Sequence, residues 1–264
     1  MDQRIPVADG ELHCTVRGDG PPVLFIHGFP LAGSLWHPTA ERLAGLYRCI
    51  MPDLRGHGRS SVAESMTIAR YADDLVELLA ALEVREPVVV VGLSMGGVIA
   101  FDLFRRHRAR LRALVLVDAR ANEEPPEGVA RRHALAELVL REGSRAAAEA
   151  LIGPLFAPGV APALRQEWYE RMAATPPVGV AAAARALAAR EDSRPTLPRI
   201  DCPTLVVAGA EDAITPVELL REIHTRIRGS RFAVIPGAGH LPPIEQPDRF
   251  AAVLAEFLQS LPGQ

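Results

Sequence analysis

One serine of the chain stands where a nucleophile could be presented. Ser94 lies in the stretch GLSMG, residues 92–96, between a run of four valines and a second apolar segment. Two interpretations are open: either the glycines make a tight turn and the serine is incidental, or the turn serves to expose the serine. A sharp strand-to-helix turn strains the backbone of its central residue, and flanking glycines remove Cβ atoms that would collide there. We favour the second interpretation because other residues could complete a nucleophilic site.

A serine hydroxyl needs a general base to attack near neutral pH, and His240 is the candidate. It lies in PGAGHLPPIEQP, directly after the last predicted strand. An acid should orient its imidazole, and Asp212, in VVAGAEDAITP, also follows a predicted strand. The neighbouring Glu211 has a longer side chain that should point elsewhere, so we favour Asp212. Asp118, at the end of another predicted strand, is the remaining rival, and we expect it to cap a turn or line the rim of a pocket.

The other histidines are predicted to have no catalytic role. His27, in IHGFP, ends a strand, and His57, in DLRGHGRSS, lies in a glycine-containing loop. Both are predicted to be structural hydrogen-bonding residues, and Asp53 is interpreted in the same way. The backbone N–H of Met95 is different, because it stands at the start of a predicted helix, where it could stabilise a developing oxyanion.

Short apolar runs alternate with longer helical patterns along the chain. Fully apolar runs predict strands that are covered on both faces, and the i, i+3, i+4, i+7 spacing predicts helices. Strands are predicted at 22–27, 49–53, 88–91, 111–117, 204–208 and 232–235, and helices at 68–82, 97–106, 216–227 and 249–258. The alternation predicts an α/β fold with a mostly parallel, twisted sheet flanked by helices. Residues 11–17 alternate more strongly and predict an antiparallel strand at the edge of that sheet.

The alternation breaks between about residues 120 and 197. This stretch is rich in Ala, Arg, Glu and Pro and has no β-branched run. We interpret it as a small helical cap, residues 120–197, inserted into a core formed by residues 1–119 and 198–264. Loops at the carboxyl ends of parallel strands are where ligands bind, so the cap should line the pocket. Trp168, Met172 and Leu140 are candidates for either the core of the cap or the wall of the pocket.

The composition and net charge of the chain limit the classes of partner that it is expected to bind. The 264 residues are 48% hydrophobic and 23% charged, with a net charge of -3, which gives no support for binding to nucleic acid or to an anionic membrane. We expect no membrane insertion, no secretory signal and a cytoplasmic location. Cys14, Cys49 and Cys202 are widely spaced, so we expect buried reduced thiols rather than a metal site or a disulfide.

Five motifs together resemble the α/β-hydrolase fold superfamily, in the right order and over nearly the whole chain. They are IHGFP, PDLRGHGRS, GLSMGG, GAEDAITP and PGAGHLPPIEQP. More narrowly, the chain is similar to small-cap bacterial carboxylesterases, a group that grades into enol-lactonases and cofactor-free haloperoxidases. LVDARANEEPPEG resembles the DTRA-type segment of these esterases, with Ala119 in place of the usual threonine.

The resemblance implies a role for each site residue. Ser94 is the implied nucleophile, His240 the base and Asp212 the orienting acid, in the chain order of this superfamily. Phe29 and Met95 are the implied oxyanion-hole donors through their backbone N–H groups. Haloalkane dehalogenases and epoxide hydrolases of this fold have an aspartate at the nucleophile position, so Ser94 excludes them.

We therefore expect a serine carboxylesterase that hydrolyses short- to medium-chain esters of small molecules, with neither an organic cofactor nor a metal. Four alternatives stay open: an enol-lactonase of the 3-oxoadipate enol-lactone type, a perhydrolase favoured by Pro30, a C–C bond hydrolase, and a small-molecule receptor without turnover. The sequence does not define the physiological substrate or the oligomeric state.

Overall fold

Eight strands form one sheet, in the order β1-β2-β4-β3-β5-β6-β7-β8. The computed structural model describes residues 1–262. The strands are β1 (Asp2–Val7), β2 (Gly10–Arg17), β3 (Pro22–Ile26), β4 (Arg48–Pro52), β5 (Val88–Leu93), β6 (Leu111–Val117), β7 (Thr204–Gly209) and β8 (Arg231–Ile235). The pairs β1/β2 and β2/β4 are antiparallel and all other neighbours are parallel, so the sheet is mostly parallel, as the sequence predicts.

Helices cover both faces of this sheet and fill the long connection between β6 and β7. They are α1 (His37–Leu43), α2 (Ile68–Ala81), α3 (Met95–His107), α4 (Pro126–Glu142), α5 (Ser144–Leu155), α6 (Pro162–Ala173), α7 (Pro177–Ala188), α8 (Val217–Arg226), α9 (Pro242–Glu245) and α10 (Pro247–Gln259). Helix α4 packs on α5 and α7, and α5 packs on α6. The division into a core and a cap of residues 120–197 stays a prediction.

The central strand shows why the apolar runs become strands. All of β5 is buried, and its side chains alternate between two hydrophobic cores. Val88 and Val90 pack in the core on one face of the sheet, while Val89 and Val91 pack in the core on the other. Each such side chain contributes about 1.5–3 kcal/mol when it is fully buried. A strand with both faces covered can therefore be apolar throughout.

The predicted strands and helices are confirmed with shifts of a few residues, with one correction at the edge of the sheet. Residues 10–17 do form an antiparallel strand, β2, but they are not the edge, because β1 pairs with their outer side. β1 has the sequence DQRIPV, in which only Ile5 is fully buried. An edge strand with one covered face needs few apolar residues, so it leaves a weak pattern.

The three cysteines of the chain lie in the interior of the fold. Cys14, Cys49 and Cys202 are all buried free thiols, and burial raises the pKa of Cys14 and of Cys49 to about 12. Thiols held in this way are poor nucleophiles.

Among residues 1–262, no helix is both long enough and apolar enough to cross a membrane.

His27 and His57 join the loops that follow β3 and β4. His27 accepts the N–H of Leu54 through Nε2 at 2.9 Å and donates through Nδ1 to the carbonyl of Gly28 at 2.8 Å. His57 packs edge-on against His27, with ring centroids 5.1 Å apart. Both are buried, and burial lowers the pKa of His27 to about 4 and that of His57 to about 3. They are neutral, hydrogen-bonded residues, as the sequence predicts.

This buried pair should make the protein less stable as the pH falls. The unfolded chain protonates both histidines below about pH 6.5, whereas the folded protein does so only near pH 4 and pH 3. Between these values the unfolded state binds more protons, so the free energy of unfolding decreases by up to about 1.4 kcal/mol per pH unit for each histidine. Urea unfolding between pH 7 and pH 4 measures this slope. His57→Gln should flatten it, whereas His133→Gln, on the exposed side of α4, should leave it unchanged; equal slopes in all three proteins would contradict the assignment.

Candidate active site

Ser94 occupies a strained turn between the central strand and a helix. It follows β5 directly and precedes α3, with φ of 53° and ψ of -111°. A positive φ is unfavourable for a residue with a Cβ and persists only when the surroundings hold it there. One such restraint is the hydrogen bond from the Ser94 N–H to the carbonyl of Val117, at the end of β6, at 2.9 Å.

The glycines on either side of Ser94 allow this turn to pack closely. A Cβ on Gly92 would lie 2.4 Å from the carbonyl oxygen of Gly96, and a Cβ on Gly96 would lie 2.2 Å from the carbonyl oxygen of Ile26. Both distances are far below van der Waals contact with backbone atoms that cannot move aside. The spacing of GLSMGG thus reflects a close approach of α3 to the ends of β5 and β3.

Backbone N–H groups surround the same turn. Met95 is the first residue of α3, so its N–H is among those at the helix start that have no acceptor within the helix. The N–H groups of Gly97 and Val98 instead donate to the carbonyl of Ser94, at 2.9 and 3.2 Å. Phe29 follows β3 in the next loop and is half-buried. Met95 and Phe29 both line the cavity that contains Ser94.

His240 and Asp212 form a buried pair. The Nδ1 of His240 and the Oδ2 of Asp212 are 2.7 Å apart, and their side chains are 3% and 0% exposed. The other oxygen, Oδ1, accepts the N–H groups of Ile214 and Thr215 at 2.7 and 2.9 Å. Burial alone would raise the pKa of Asp212, but the adjacent His240 and these N–H donors lower it below its ordinary value. Glu211 is exposed, whereas the neighbouring Asp212 contacts His240.

Asp118 lies beside this pair but makes different contacts. It follows β6, has a φ of 44° and is fully buried. Its Oδ1 accepts the N–H of Gly209 at 2.9 Å, while Oδ2 is buried without a conventional donor among residues 1–262. Burial and the charge of Asp212 raise the pKa of Asp118 well above its ordinary value. The raised pKa favours the protonated form of Asp118, which lies at the edge of the cavity, whereas His240 pairs with Asp212.

Glu245, which is not among the predicted site residues, holds the loop that carries His240. The carboxylate of Glu245 accepts three backbone N–H groups: Gly239 and Leu241 at 3.0 Å each, and Ala157 at 2.7 Å. The N–H of His240 itself donates to the carbonyl of Leu155, the last residue of α5, at 3.0 Å. In the sequence, Glu245 is marked by its position between Pro243 and Pro247, shortly after His240. Side-chain spacing does not reveal such backbone contacts.

Ser94, His240, Met95 and Phe29 line one cavity of about 420 Å³, within the usual size range of small-molecule sites. Its upper wall consists of residues from the segment between β6 and β7, namely Arg120, Glu124, Gly128, Arg131, Arg132, Leu135, Ala150, Leu151, Leu155, Leu187 and Arg190. Trp168 and Met172 are buried among other helices, and Leu140 is largely exposed; none of the three lines the cavity. Across the described residues, no group of three or more His, Cys, Asp or Glu side chains could hold a metal ion.

Comparisons with known proteins agree with this architecture. A family model described as alpha/beta hydrolase fold matches residues 21–247. The chain is 30% identical to 3-oxoadipate enol-lactonase 1 of Acinetobacter baylyi, over 92% of this chain and 90% of that protein. It is also 30% identical to a pimeloyl-[acyl-carrier protein] methyl ester esterase of Neisseria meningitidis, over 90% and 92%. A thermophilic esterase from Thermogutta terrifontis, solved with malate bound, superposes with a TM-score of 0.94 at 40% identity, over 99% of both chains.

Replacing Glu245 should test its contribution to this arrangement. Glu245→Gln keeps the shape but exchanges one carboxylate oxygen for an NH₂ group that cannot accept a hydrogen bond from Gly239, Leu241 or Ala157. An unsatisfied buried N–H costs about 1–3 kcal/mol, so urea unfolding should show a loss of this size. The control is Glu256→Gln, which removes an exposed carboxylate 3.5 Å from Arg231 and should cost less than about 0.5 kcal/mol. Equal stability of the two variants would contradict the role of Glu245.

Proposed function

Because the chain belongs to the alpha/beta hydrolase fold family, a membership that supports hydrolase activity, we propose that it is a serine carboxylesterase acting on short- to medium-chain esters. The observation that carries the proposal is the 2.7 Å contact of His240, which lines the same cavity as Ser94, with the buried carboxylate of Asp212. We also propose that residues 120–197 act as the cap of this site, since α4, α5 and α7 supply its upper wall.

In the proposed reaction, Ser94 Oγ attacks the ester carbonyl while Nε2 of His240 takes its proton. The Nδ1 of His240 remains bonded to the ionised Asp212, which stabilises the imidazolium. The alcohol then leaves with the proton from His240, and an acyl-enzyme remains on Ser94. A water molecule, deprotonated by the same histidine, cleaves the acyl-enzyme and releases the acid.

The negative charge that develops on the carbonyl oxygen needs donors that are already in place. We propose the N–H groups of Met95 and Phe29 for this role. The first residue of a helix carries both a free N–H and the positive end of the helix dipole, which favours Met95. Phe29 lies in the loop after β3, where this family places its second donor. Removal of one such donor typically lowers the rate about 10²–10³-fold.

A lactonase is the second candidate, because one of the most similar relatives is an enol-lactonase. A lactone is a cyclic ester, so the same nucleophile, base and oxyanion donors would open it. The difference lies in the leaving group, which stays attached to the acyl chain. Turnover of an enol-lactone that exceeds that of open-chain esters would favour this candidate.

The nucleophile is tested by Ser94→Ala. With p-nitrophenyl acetate, butyrate and octanoate, wild-type protein should show sustained multiple turnovers, and the variant should lose about 10⁵–10⁶-fold in kcat. The loss follows from removal of the only group that forms the acyl-enzyme. A variant with full turnover would refute the proposal, and a single burst followed by a stable adduct in the wild type would indicate a receptor.

Substitution of each buried aspartate in turn tests which of the two acts as the acid that orients His240. Asp212→Asn should lower kcat by about 10⁴-fold, because an amide can no longer accept the Nδ1–H while stabilising an imidazolium. Asp118→Asn should lower kcat less than about tenfold, because the raised pKa of Asp118 favours its uncharged form, which an amide resembles in shape and charge. The same p-nitrophenyl butyrate assay measures both, and a reversed order of the two effects would assign the acid to Asp118.

A further inference from the structure

Four arginines line the cavity that holds Ser94, an unusual wall for a site that binds uncharged esters. They are Arg120, Arg131, Arg132 and Arg190. The carboxyl groups in the same wall are those of Glu124 and Asp118. Burial and Asp212 raise the pKa of Asp118, whereas Arg132 and Arg190 lower that of Glu124 in spite of its burial. The wall therefore presents four guanidinium groups against two carboxyl groups, of which only Glu124 has a lowered pKa, in a protein whose net charge is -3.

Three of these arginines have structural partners. Arg190 and Arg132 both bind the buried carboxylate of Glu124, and Arg190 also donates to the carbonyl of Asn122 at 2.9 Å. Arg120 donates to the carbonyl of Ile214, next to the loop of Asp212. These contacts tie α4 and α7 to the loops of the sheet.

Arg131 is different. Among residues 1–262 its guanidinium has no hydrogen bond, ion pair or ring contact, and it remains exposed at the wall of the cavity. Gly128, Arg132 and Leu135 lie three, one and four residues from it, and all line the cavity, so this face of α4 is turned toward the site. By contrast, Arg141 on the same helix pairs with Glu142 and lies outside the cavity.

We propose that the site selects esters that carry a carboxylate in addition to the ester group, and that Arg131 binds this carboxylate. The inference rests on the proposed esterase function and specifies its substrate class. A guanidinium suits this task because its planar N–H groups match the two oxygens of a carboxylate. A cavity of about 420 Å³ leaves room for a short chain between Ser94 and the helix that carries Arg131.

Matched substrates test the selection. Monomethyl adipate and methyl hexanoate have the same chain length and leaving group but differ in a terminal carboxylate, so they probe the acyl side. 4-Acetoxybutyrate and butyl acetate make the same comparison on the alcohol side. Wild-type protein should favour the anionic member of at least one pair, by about tenfold or more in kcat/KM. The preference should decrease with added salt because Arg131 is exposed.

Arg131→Gln should lower this ratio about tenfold, and Arg131→Glu should lower it further by placing a like charge at the site. Arg141→Gln is the matched control on the same helix and should leave the ratio unchanged. Thermal unfolding should be unaffected by Arg131→Gln because this side chain has no partner to lose. No preference in the wild type, or an equal ratio in Arg131→Gln, would overturn the inference while leaving the esterase proposal intact.

A binding measurement tests carboxylate recognition by Arg131 independently of ester hydrolysis. Calorimetry with Ser94→Ala measures the affinity for monomethyl adipate and for methyl hexanoate without turnover. The anionic ester should bind about tenfold more tightly, and the double variant Ser94→Ala/Arg131→Gln should lose this difference. If the wild type hydrolyses no ester, the proposed function fails, and this measurement still decides whether Arg131 selects a carboxylate.

Discussion

The sharp turn at Ser94 is the constraint on which the rest of the site depends. A residue with a Cβ keeps a φ of 53° only if its neighbours leave it no alternative. Here the carbonyl of Val117 holds the Ser94 N–H, and the backbone of Ile26 lies directly against Gly96. The ends of β6 and β3 therefore fix the turn from both sides of β5. Because Phe29 follows β3 and Asp118 follows β6, the same contacts also set the positions of the adjacent loops.

The segment between β6 and β7 helps to hold His240 in the wall of the cavity. His240 is restrained twice, by Asp212 through its side chain and by the carbonyl of Leu155 through its backbone. Glu245 connects the same two parts a second time. Its carboxylate accepts N–H groups from the loop of His240 and from Ala157, two residues after the end of α5. The histidine thus depends on α5 as well as on the sheet. A change in the packing of α5 should alter the orientation of the imidazole without any change in Asp212.

The parts of the fold that the sequence predicts well are those in which burial leaves a continuous pattern. Strands β3, β5, β6 and β7 are apolar because both faces are covered, and each ends at or within two residues of its predicted limit. β1 was missed because an edge strand needs only a few apolar residues. The pairing of His240 with Asp212 agrees with expectation because both follow parallel strands, which end at one edge of the sheet. Glu245 and Arg131 were missed for another reason: one acts through backbone N–H groups, and the other matters because it has no partner.

The two buried aspartates show why side-chain type alone does not assign a role. Both follow strands at the same edge of the sheet, and their carboxyl groups interact, so ionising both would place two like charges together in a buried site. Asp212 receives three N–H donors, from His240, Ile214 and Thr215, whereas Asp118 receives one, from Gly209. These donors favour the negative charge on Asp212, and the raised pKa of Asp118 favours the proton there. With the proton on Asp118, no second negative charge opposes that of Asp212, which can then stabilise a protonated His240.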